Sequence, residues 1–204
     1  TGSTLGVRIQ VEKNLPMGGG LGGGSSDAAS VLVVLNKLWG LGLSKAELME
    51  LGLQLGADVP VFVFGHAAWG EGVGERLECI HLPEPWVVLI KPDCHVDTKE
   101  IFCSKELTRN SQVITMNEFL AGDAKNDCLS VVLARYGEVK DAFFGLSDFG
   151  DSKLTGTGAC VFALFCDEED AKLVYNALLD KWDVYLSRGQ VVSPLYKKLE
   201  YFQV

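Results

Sequence analysis

The feature that most constrains this chain is a glycine-rich segment at residues 16–27, followed at once by an apolar stretch that ends at Trp39. The segment reads Pro-Met-Gly-Gly-Gly-Leu-Gly-Gly-Gly-Ser-Ser-Asp, and six of its twelve residues are glycine. Glycine has no Cβ, so its backbone can adopt positive φ and come within hydrogen-bonding distance of a ligand. The closing Ser-Ser-Asp favours an N-cap and predicts a helix over 27–39. A helix N-terminus after such a loop favours phosphate binding; a flexible linker is the alternative.

Two familiar phosphate-binding motifs fit this segment poorly. A Walker A loop ends in Gly-Lys-Ser or Gly-Lys-Thr, whereas Gly24 is followed directly by serine. Glycines 18, 20 and 23 satisfy the pattern G-x-G-x-x-G, but a dinucleotide-binding fold places that pattern after a continuously apolar parallel strand. The preceding residues 7–13 alternate between apolar and polar side chains, which predicts a half-exposed strand, more often antiparallel.

The segment resembles the phosphate loop of the GHMP kinases, whose pattern is roughly Pro, a few small residues, Gly-Leu-Gly, Ser-Ser and Ala. This chain has Gly-Leu-Gly at 20–22, extra glycines before Ser-Ser, and Asp before the alanines. Two further motifs follow in the order of the family, Gly-Ala-Asp-Val-Pro at 56–60 and Leu-Thr-Gly-Thr-Gly-Ala-Cys at 154–160. The resemblance extends over essentially the whole chain, and three motifs in order are far more specific than any one of them.

The resemblance implies an α+β protein with the GHMP kinase fold. Residues 1–84 are expected to form an ATP-binding N-terminal domain similar to ribosomal protein S5 domain 2, and residues 85–204 a ferredoxin-like C-terminal domain. The family carries a further segment before the position that matches Thr1, including a lysine that works with the catalytic aspartate. We therefore expect an incomplete N-terminal domain, with an uncovered edge and apolar face at the strand over 7–13. The chain as given is expected to self-associate or to repack its N-terminal half, and to show no measurable kinase activity.

Within the family, the motifs are most similar to those of kinases that phosphorylate a hydroxyl of a cytidine diphosphate-linked methylerythritol in non-mevalonate isoprenoid synthesis. The small-molecule partners implied are this alcohol and ATP. Mg²⁺ is expected with ATP, because the charge of the β- and γ-phosphates must be neutralised during transfer; no protein ligand to a metal is assigned. Two alternatives stay open: a GHMP kinase for another alcohol, such as homoserine or a mevalonate derivative, and a catalytically inert nucleotide-binding fragment.

The resemblance also assigns roles to single residues. Asp58 is expected to accept or orient the proton of the substrate hydroxyl, although from sequence alone an aspartate before Val-Pro is a helix cap. Thr98 and Phe102 match positions at the cytidine end of the substrate; alternatively, Asp97 and Glu100 cap a helix and Phe102 belongs to the core. The residues expected to bind nucleotide are Lys13, Pro16, Met17, Gly18, Gly19, Gly20, Leu21, Gly22, Gly23, Gly24, Ser25 and Ser26, and those expected to bind the acceptor are Asp58, Val73, Thr98 and Phe102.

Three of these interpretations have a purely structural alternative. Lys13 matches a nucleotide-contacting lysine but is otherwise the last polar residue of an exposed strand. The glycine segment at 155–158 is by itself an ordinary tight turn; in the family it approaches the phosphates and the substrate from the C-terminal domain. Asn126 and Asp127 before Cys128 predict a helix cap, and we assign them no chemistry.

Composition excludes several other classes. A chain of 204 residues that is 48% hydrophobic can bury a full core, as one large or two small domains. The net charge of −9 argues against a nucleic-acid partner, which requires a basic surface. Eighteen consecutive apolar residues occur nowhere, so no membrane segment is predicted. The six cysteines and three histidines show no metal-binding spacing, which favours reduced thiols in the cytoplasm over disulfides or structural zinc.

Local patterns predict the remaining elements. A capping box at residues 44–47 predicts a helix over 45–55, and residues 61–64 and 67–80 predict strands. Further on, strands are predicted at 86–90, 160–166 and 184–187, with helices at 127–136, 138–146 and 168–181. Strands that alternate with helix pairs favour a ferredoxin-like α+β layer.

Overall fold

The computed structural model describes residues 2–120, 122 and 124–201, which divide into two compact units. Unit 1 comprises Thr1–Leu15, Gly22–Glu84 and Gln190–Val204, and unit 2 comprises Pro16–Leu21 and Pro85–Gly189. The described elements are, in chain order, α1 (Gly23–Leu38), α2 (Lys45–Leu55), α3 (Val59–Phe64), β1 (Ala68–Glu71), β2 (Arg76–Cys79), β3 (Trp86–Lys91), α4 (Thr98–Cys103), α5 (Met116–Leu120), α6 (Leu129–Arg135), α7 (Gly137–Ser147), β4 (Lys153–Leu154), β5 (Val161–Phe165), α8 (Glu168–Leu178), β6 (Asp183–Arg188) and α9 (Pro194–Tyr201).

In unit 1, helices α1, α2 and α3 share a small core. Ala29 and Val33 of α1 pack with Leu48 of α2 and with Val59 and Val63 of α3. The predicted capping box at the start of α2 is confirmed. The Ser44 side chain accepts a hydrogen bond from the Glu47 N–H, and the Glu47 carboxylate accepts one from the Ser44 N–H. The strands β1 and β2 form an antiparallel hairpin in the same unit.

The C-terminal residues return to unit 1. Leu195, Tyr196 and Leu199 of α9 pack against the core of α1 to α3. The Tyr196 hydroxyl donates a hydrogen bond to the Val63 carbonyl, and the Glu84 carboxylate accepts one from the Val191 N–H at 3.0 Å. Residues separated by most of the chain therefore complete one core.

Unit 2 is built on a four-stranded antiparallel sheet with the order β4-β5-β3-β6. Its strands and packed helices follow the sequence β3, α6 and α7, β4, β5, α8, β6, which is the β-α-β-β-α-β arrangement of ferredoxin-like domains. The buried side chains of Val88, Ile90 and Val161 on the sheet pack with those of α6, α7 and α8. The predicted ferredoxin-like layer is confirmed, and the bounds of its predicted strands and helices differ from those observed by a few residues.

Three sequence predictions about elements are wrong. Residues 7–13 form no strand in the part of the chain that the structure describes, because alternation does not supply the neighbouring strand that a ladder requires. Residues 61–64 lie in α3 and not in a strand: a four-residue apolar run has no readable period, and Pro60 in the first turn favours a helix. The first helix begins at Gly23, four positions before the predicted start at 27.

Several short elements were not predicted, namely α5, β4 and α9, since each is brief and carries little pattern. No helix within residues 2–120, 122 and 124–201 is long and apolar enough to cross a membrane.

Candidate functional site

The second half of the glycine segment supplies the first turn of α1. Gly22 adopts a left-handed conformation with φ of 65°, and its carbonyl accepts the first hydrogen bond of the helix, from the Ser26 N–H at 2.9 Å. The N–H groups of Gly23, Gly24 and Ser25 come before that bond and so have no acceptor within the helix. The N-cap supplies no side-chain hydrogen bond. These donors stand at the positive end of a 16-residue helix, where a phosphate oxygen binds favourably.

The space beside these donors is open. A Cβ built on Gly23 or Gly24 would have no other heavy atom within 4 Å. A Cβ on Gly22 would instead lie 3.0 Å from the Phe62 ring, on a backbone whose positive φ already disfavours side chains. The first two glycines of the helix therefore border space that a ligand can occupy, which fits the binding of a nucleotide phosphate.

The first half of the glycine segment packs within unit 2 against the second glycine segment, residues 155–158. The Thr155 hydroxyl donates a hydrogen bond to the Gly19 carbonyl at 2.7 Å. A Cβ on Gly20 would lie 2.6 Å from the Thr155 carbonyl oxygen, and one on Gly19 would lie 2.5 Å from the Cys160 sulfur. Glycine is therefore required at both positions by close approach of the protein itself.

A cavity of about 430 Å³ lies beside this contact in unit 2. Its lining residues are Gly18, Gly20, His95, Val96, Asp97, Thr98, Lys99, Thr157 and Gly158. The Thr98 and Thr157 hydroxyl oxygens are 2.9 Å apart and form a hydrogen bond, so the start of α4 is joined to the second glycine segment. The structure thus brings the two glycine segments and the predicted substrate residue Thr98 to one cavity.

Two basic side chains of this cavity, His95 and Lys99, were missed in the sequence. The sequence did place both residues close to Thr98, three positions before it and one position after it. The Asp97 carboxylate is engaged, since it accepts hydrogen bonds from the backbone N–H groups of Lys99 at 2.8 Å and Glu100 at 3.1 Å. His95 and Lys99 thus line the cavity together with a carboxylate that is already hydrogen-bonded to two backbone N–H groups.

Phe102 is exposed on α4 and does not belong to the core. Its neighbour Ile101 is fully buried, whereas 56% of the Phe102 surface remains accessible. Thr98 and Phe102 are four positions apart in one helix and so share a face. The alternative that places Phe102 in the core is wrong, and its ring is available to stack on a planar group.

Asp58 immediately precedes α3, and its carboxylate makes no capping hydrogen bond. It occupies the N-cap position, but its side chain accepts no hydrogen bond from the helix. The side chain is exposed, and no donor among the described residues pairs with it. A Cβ on Gly56, two residues earlier, would lie 4.0 Å from the Ser25 hydroxyl oxygen, so this turn lies beside the first turn of α1 within unit 1. The helix-cap alternative for Asp58 is not supported.

Of the remaining predicted residues, Pro16, Met17 and Leu21 lie in unit 2, and Lys13 and Val73 lie in unit 1. Lys13 forms an ion pair with Asp27 of α1; because both side chains are more than 40% exposed, the pair contributes at most about 1 kcal/mol. Val73 stands at the exposed tip of the β1–β2 hairpin, close to Gly74, whose Cβ would be 3.3 Å from the Ala57 carbonyl. Backbone N–H groups of Glu75 and Val73 donate to the Glu75 carboxylate and lower the pKa of Glu75.

Comparison with known proteins agrees with this arrangement. Residues 1–66 match the N-terminal domain of GHMP kinases, and residues 107–184 match the GHMP kinase C-terminal domain. With the three motifs and the ferredoxin-like unit, these matches show that the chain belongs to the GHMP kinases.

Individual relatives indicate which GHMP kinases this chain most resembles. The chain is 53% identical over 199 residues to the 4-diphosphocytidyl-2-C-methyl-D-erythritol kinase of Methylococcus capsulatus, a match that covers 97% of this chain and 68% of the relative. The kinase of the same name from a Marinomonas species is 50% identical over 97% of this chain and 65% of its own length. A crystal structure of 4-(cytidine 5'-diphospho)-2C-methyl-D-erythritol kinase superposes with a TM-score of 0.74 at 28% identity, covering 88% of this chain and 69% of that one.

These comparisons confirm the predicted resemblance and the α+β GHMP kinase fold. The chain spans about two thirds of the length of the two curated relatives. The roles of the single residues and the division at residue 84 stay predictions.

Proposed function

We propose that this chain is the major part of a kinase that transfers the γ-phosphoryl group of ATP to a hydroxyl of 4-diphosphocytidyl-2-C-methyl-D-erythritol, in the synthesis of isoprenoid precursors. The observation that carries the proposal is 53% identity across 97% of the chain with a relative of that name. A kinase for homoserine or mevalonate is not favoured, because relatives at about half identity carry the cytidine-linked name.

Enzymes accelerate phosphoryl transfer mainly by positioning the reactants and stabilising charge. Separate residues of this chain are proposed to supply these two effects. The N–H groups of Gly23, Gly24 and Ser25 bind phosphate oxygens of ATP. Asp58 orients the acceptor hydroxyl and accepts its proton. We assign ATP binding to residues 1–84 and retain 85–204 as the C-terminal domain.

Mg²⁺ is proposed to accompany the nucleotide and to neutralise charge on its β- and γ-phosphates. The described residues contain no cluster of three or more His, Cys, Asp or Glu side chains that could hold a metal ion. Beside nucleotides, Mg²⁺ is usually held by one or two carboxylates, substrate phosphates and water.

The acceptor is proposed to occupy the cavity of unit 2. His95 and Lys99 would face its diphosphate, and Phe102 would stack on the cytosine. Both basic residues line the cavity, and the aromatic ring stands exposed on the helix that carries Thr98.

A panel of acceptors tests the proposed function. In the complete enzyme, phosphorylation of the cytidine-linked alcohol should far exceed that of homoserine and mevalonate, measured by transfer of labelled phosphate from ATP. Equal rates with either alcohol would contradict the acceptor assignment. Nucleotide binding without transfer to any acceptor would favour the inert nucleotide-binding fragment.

Replacing Phe102 by alanine in the full-length enzyme should weaken binding of the cytidine-linked acceptor by about 5- to 150-fold and leave ATP binding unchanged, because stacking on a base contributes about 1–3 kcal/mol. Titration calorimetry with each ligand measures this. Phe144→Ala is the matched control, since Phe144 is 54% exposed and lies on α7. Equal acceptor affinity in the two variants would exclude a stacking role for Phe102.

We also propose a cytoplasmic location and no nucleic-acid partner. All six cysteines are free thiols, and burial raises the pKa of Cys160 to about 11, which keeps that thiol protonated. Unpaired cysteines are the usual state in the reducing cytoplasm. The net charge of −9 disfavours contact with phosphate backbones.

Self-association of the 204-residue chain is proposed from the segment at residues 5–15. Val7, Ile9 and Val11 expose 48, 52 and 48% of their surfaces, and the segment pairs with no strand among the described residues. Light scattering after size exclusion should show species larger than a monomer, and Ile9→Lys should reduce them. Val113→Lys, at a position that is 91% exposed, should leave association unchanged. A monodisperse monomer that phosphorylates the cytidine-linked alcohol at a normal rate would contradict the proposal.

A further inference from the structure

Asn126 connects the region before α6 to the second glycine segment. Its Oδ1 accepts a hydrogen bond from the Cys128 N–H at 2.9 Å, and its Nδ2 donates to the Gly156 carbonyl at 2.7 Å and the Leu154 carbonyl at 3.3 Å. The predicted role as a simple helix cap is incomplete. The residue at the N-cap of α6 is Cys128, whose side chain makes no capping hydrogen bond. The amide group of Asn126 donates instead to carbonyls that lie 28 and 30 residues away in the sequence.

The segment that Asn126 holds makes the contacts that shape the cavity. On one side of Gly156, the Thr155 hydroxyl donates to the Gly19 carbonyl at 2.7 Å. On the other side, the Thr157 hydroxyl is bonded to the Thr98 hydroxyl at 2.9 Å. Movement of the Gly156 carbonyl would therefore displace both the first glycine segment and the start of α4.

The opposite end of α6 is hydrogen-bonded to residues of and after α4, the helix whose first residues, Thr98 and Lys99, line the cavity. Arg135, the last residue of the helix, donates to the Glu100 carboxylate at 3.1 Å and to the Ser104 hydroxyl at 2.8 Å, at the two ends of α4. Val131 and Val132 fix α6 in the core, with 2 and 0% of their surfaces accessible. One short helix, anchored by two buried valines, is thus flanked by side chains that bond to the second glycine segment and to α4.

We propose that Asn126 is a positioning residue of this kinase, which holds residues 154–158 in the conformation that receives the acceptor. The proposal rests on the proposed function, since the cavity is taken as the acceptor site. Asn126 reaches no cavity-lining side chain itself; it acts through the backbone carbonyls of Leu154 and Gly156.

Asn126→Asp is the sharpest test, because it keeps the Oδ1 acceptor and replaces the amide donor by an oxygen that faces two carbonyl oxygens. Asn36→Asp is the matched control. The Asn36 side chain makes the same kind of amide pair in unit 1, with the Leu43 N–H at 3.0 Å and the Leu43 carbonyl at 2.9 Å. Both variants carry the same charge change and lose a donor to a backbone carbonyl.

In the complete enzyme, we expect Asn126→Asp to raise the dissociation constant of the cytidine-linked acceptor by about tenfold or more, and to lower kcat, while Asn36→Asp leaves both near the wild-type values. Asn126→Ala removes the side-chain hydrogen bonds without adding charge, and it should also raise the dissociation constant of the acceptor and lower kcat. It replaces Asn126→Asp as the test variant if the aspartate variant does not fold. Hydrogen exchange of the Gly156 and Gly158 amides should accelerate in both Asn126 variants only.

Acceptor affinity in the Asn126 variants equal to that of Asn36→Asp, at similar melting temperatures, would overturn the proposal. If the wild-type protein binds no cytidine-linked acceptor, the proposed function fails first, and exchange at residues 156–158 then decides the role of Asn126. Unchanged exchange there would overturn it, and accelerated exchange restricted to that segment would support it.

Discussion

Replacing Asp58 by asparagine is expected to lower kcat by about two orders of magnitude or more, while the dissociation constant of ATP stays within a few-fold. Asparagine preserves the size and the capping capacity of the side chain, since the two residues cap helices about equally well. It cannot accept a proton. Steady-state kinetics with the cytidine-linked alcohol, together with ATP titration, measure both quantities in the complete enzyme.

The control is Asp167→Asn, because Asp167 is an N-cap aspartate whose side chain does accept a hydrogen bond, from the Asp170 N–H at 2.9 Å. That variant should retain its turnover. If Asp58→Asn also retains turnover and loses only thermal stability, Asp58 has a structural role and the proposed mechanism is wrong.

Replacing Gly24 by valine is expected to weaken ATP binding by about a hundredfold or more, because phosphate contacts from several N–H groups, each worth about 1.5–3 kcal/mol, would be blocked. Gly24 lies in the first turn of α1, and a Cβ there meets no protein atom within 4 Å. The side chain would therefore enter the space of the ligand and not that of the fold. Calorimetric titration with ATP and the melting temperature measure the two effects separately.

Gly137→Val is the matched control, since Gly137 begins α7 and its Cβ would also meet no atom within 4 Å. Both variants should change helix stability by similar, small amounts, and only Gly24→Val should lose affinity for ATP. Unchanged affinity in Gly24→Val would exclude the first turn of α1 as the phosphate site. Gly20 is a poorer position for this test, because a Cβ there would collide with the Thr155 carbonyl at 2.6 Å.

Features that depend on neighbouring residues were predictable from the sequence. The capping box that opens α2 places both partners within four residues, and the structure contains both of its hydrogen bonds. The ferredoxin-like layer followed from the order of strands and helices, because its elements other than the two-residue β4 are long enough to show a pattern. The left-handed Gly22 before α1 fits the same reasoning, since only glycine adopts that conformation at low cost.

Features that depend on distant residues were not predictable. Alternation at 7–13 indicates which side chains share a face, but it does not supply a partner strand. The donors of Asn126 reach carbonyls 28 and 30 residues away, so the local pattern shows only the cap-like bond to Cys128. His95 joins the cavity through contact with Gly18, whose Cβ would be 3.1 Å from its Nδ1. Such contacts are decided by topology and not by spacing.

The return of the C-terminal residues to unit 1 also sets an order of events during synthesis. Residues 85–189 are continuous, so the sheet of unit 2 is available as soon as β6 leaves the ribosome. The core around Val63 must wait for Tyr196 and Leu199, which follow at roughly 5–20 residues per second. The nascent chain therefore completes the core beneath α1 last, although Gly23 and Gly24 are translated before any strand of either sheet.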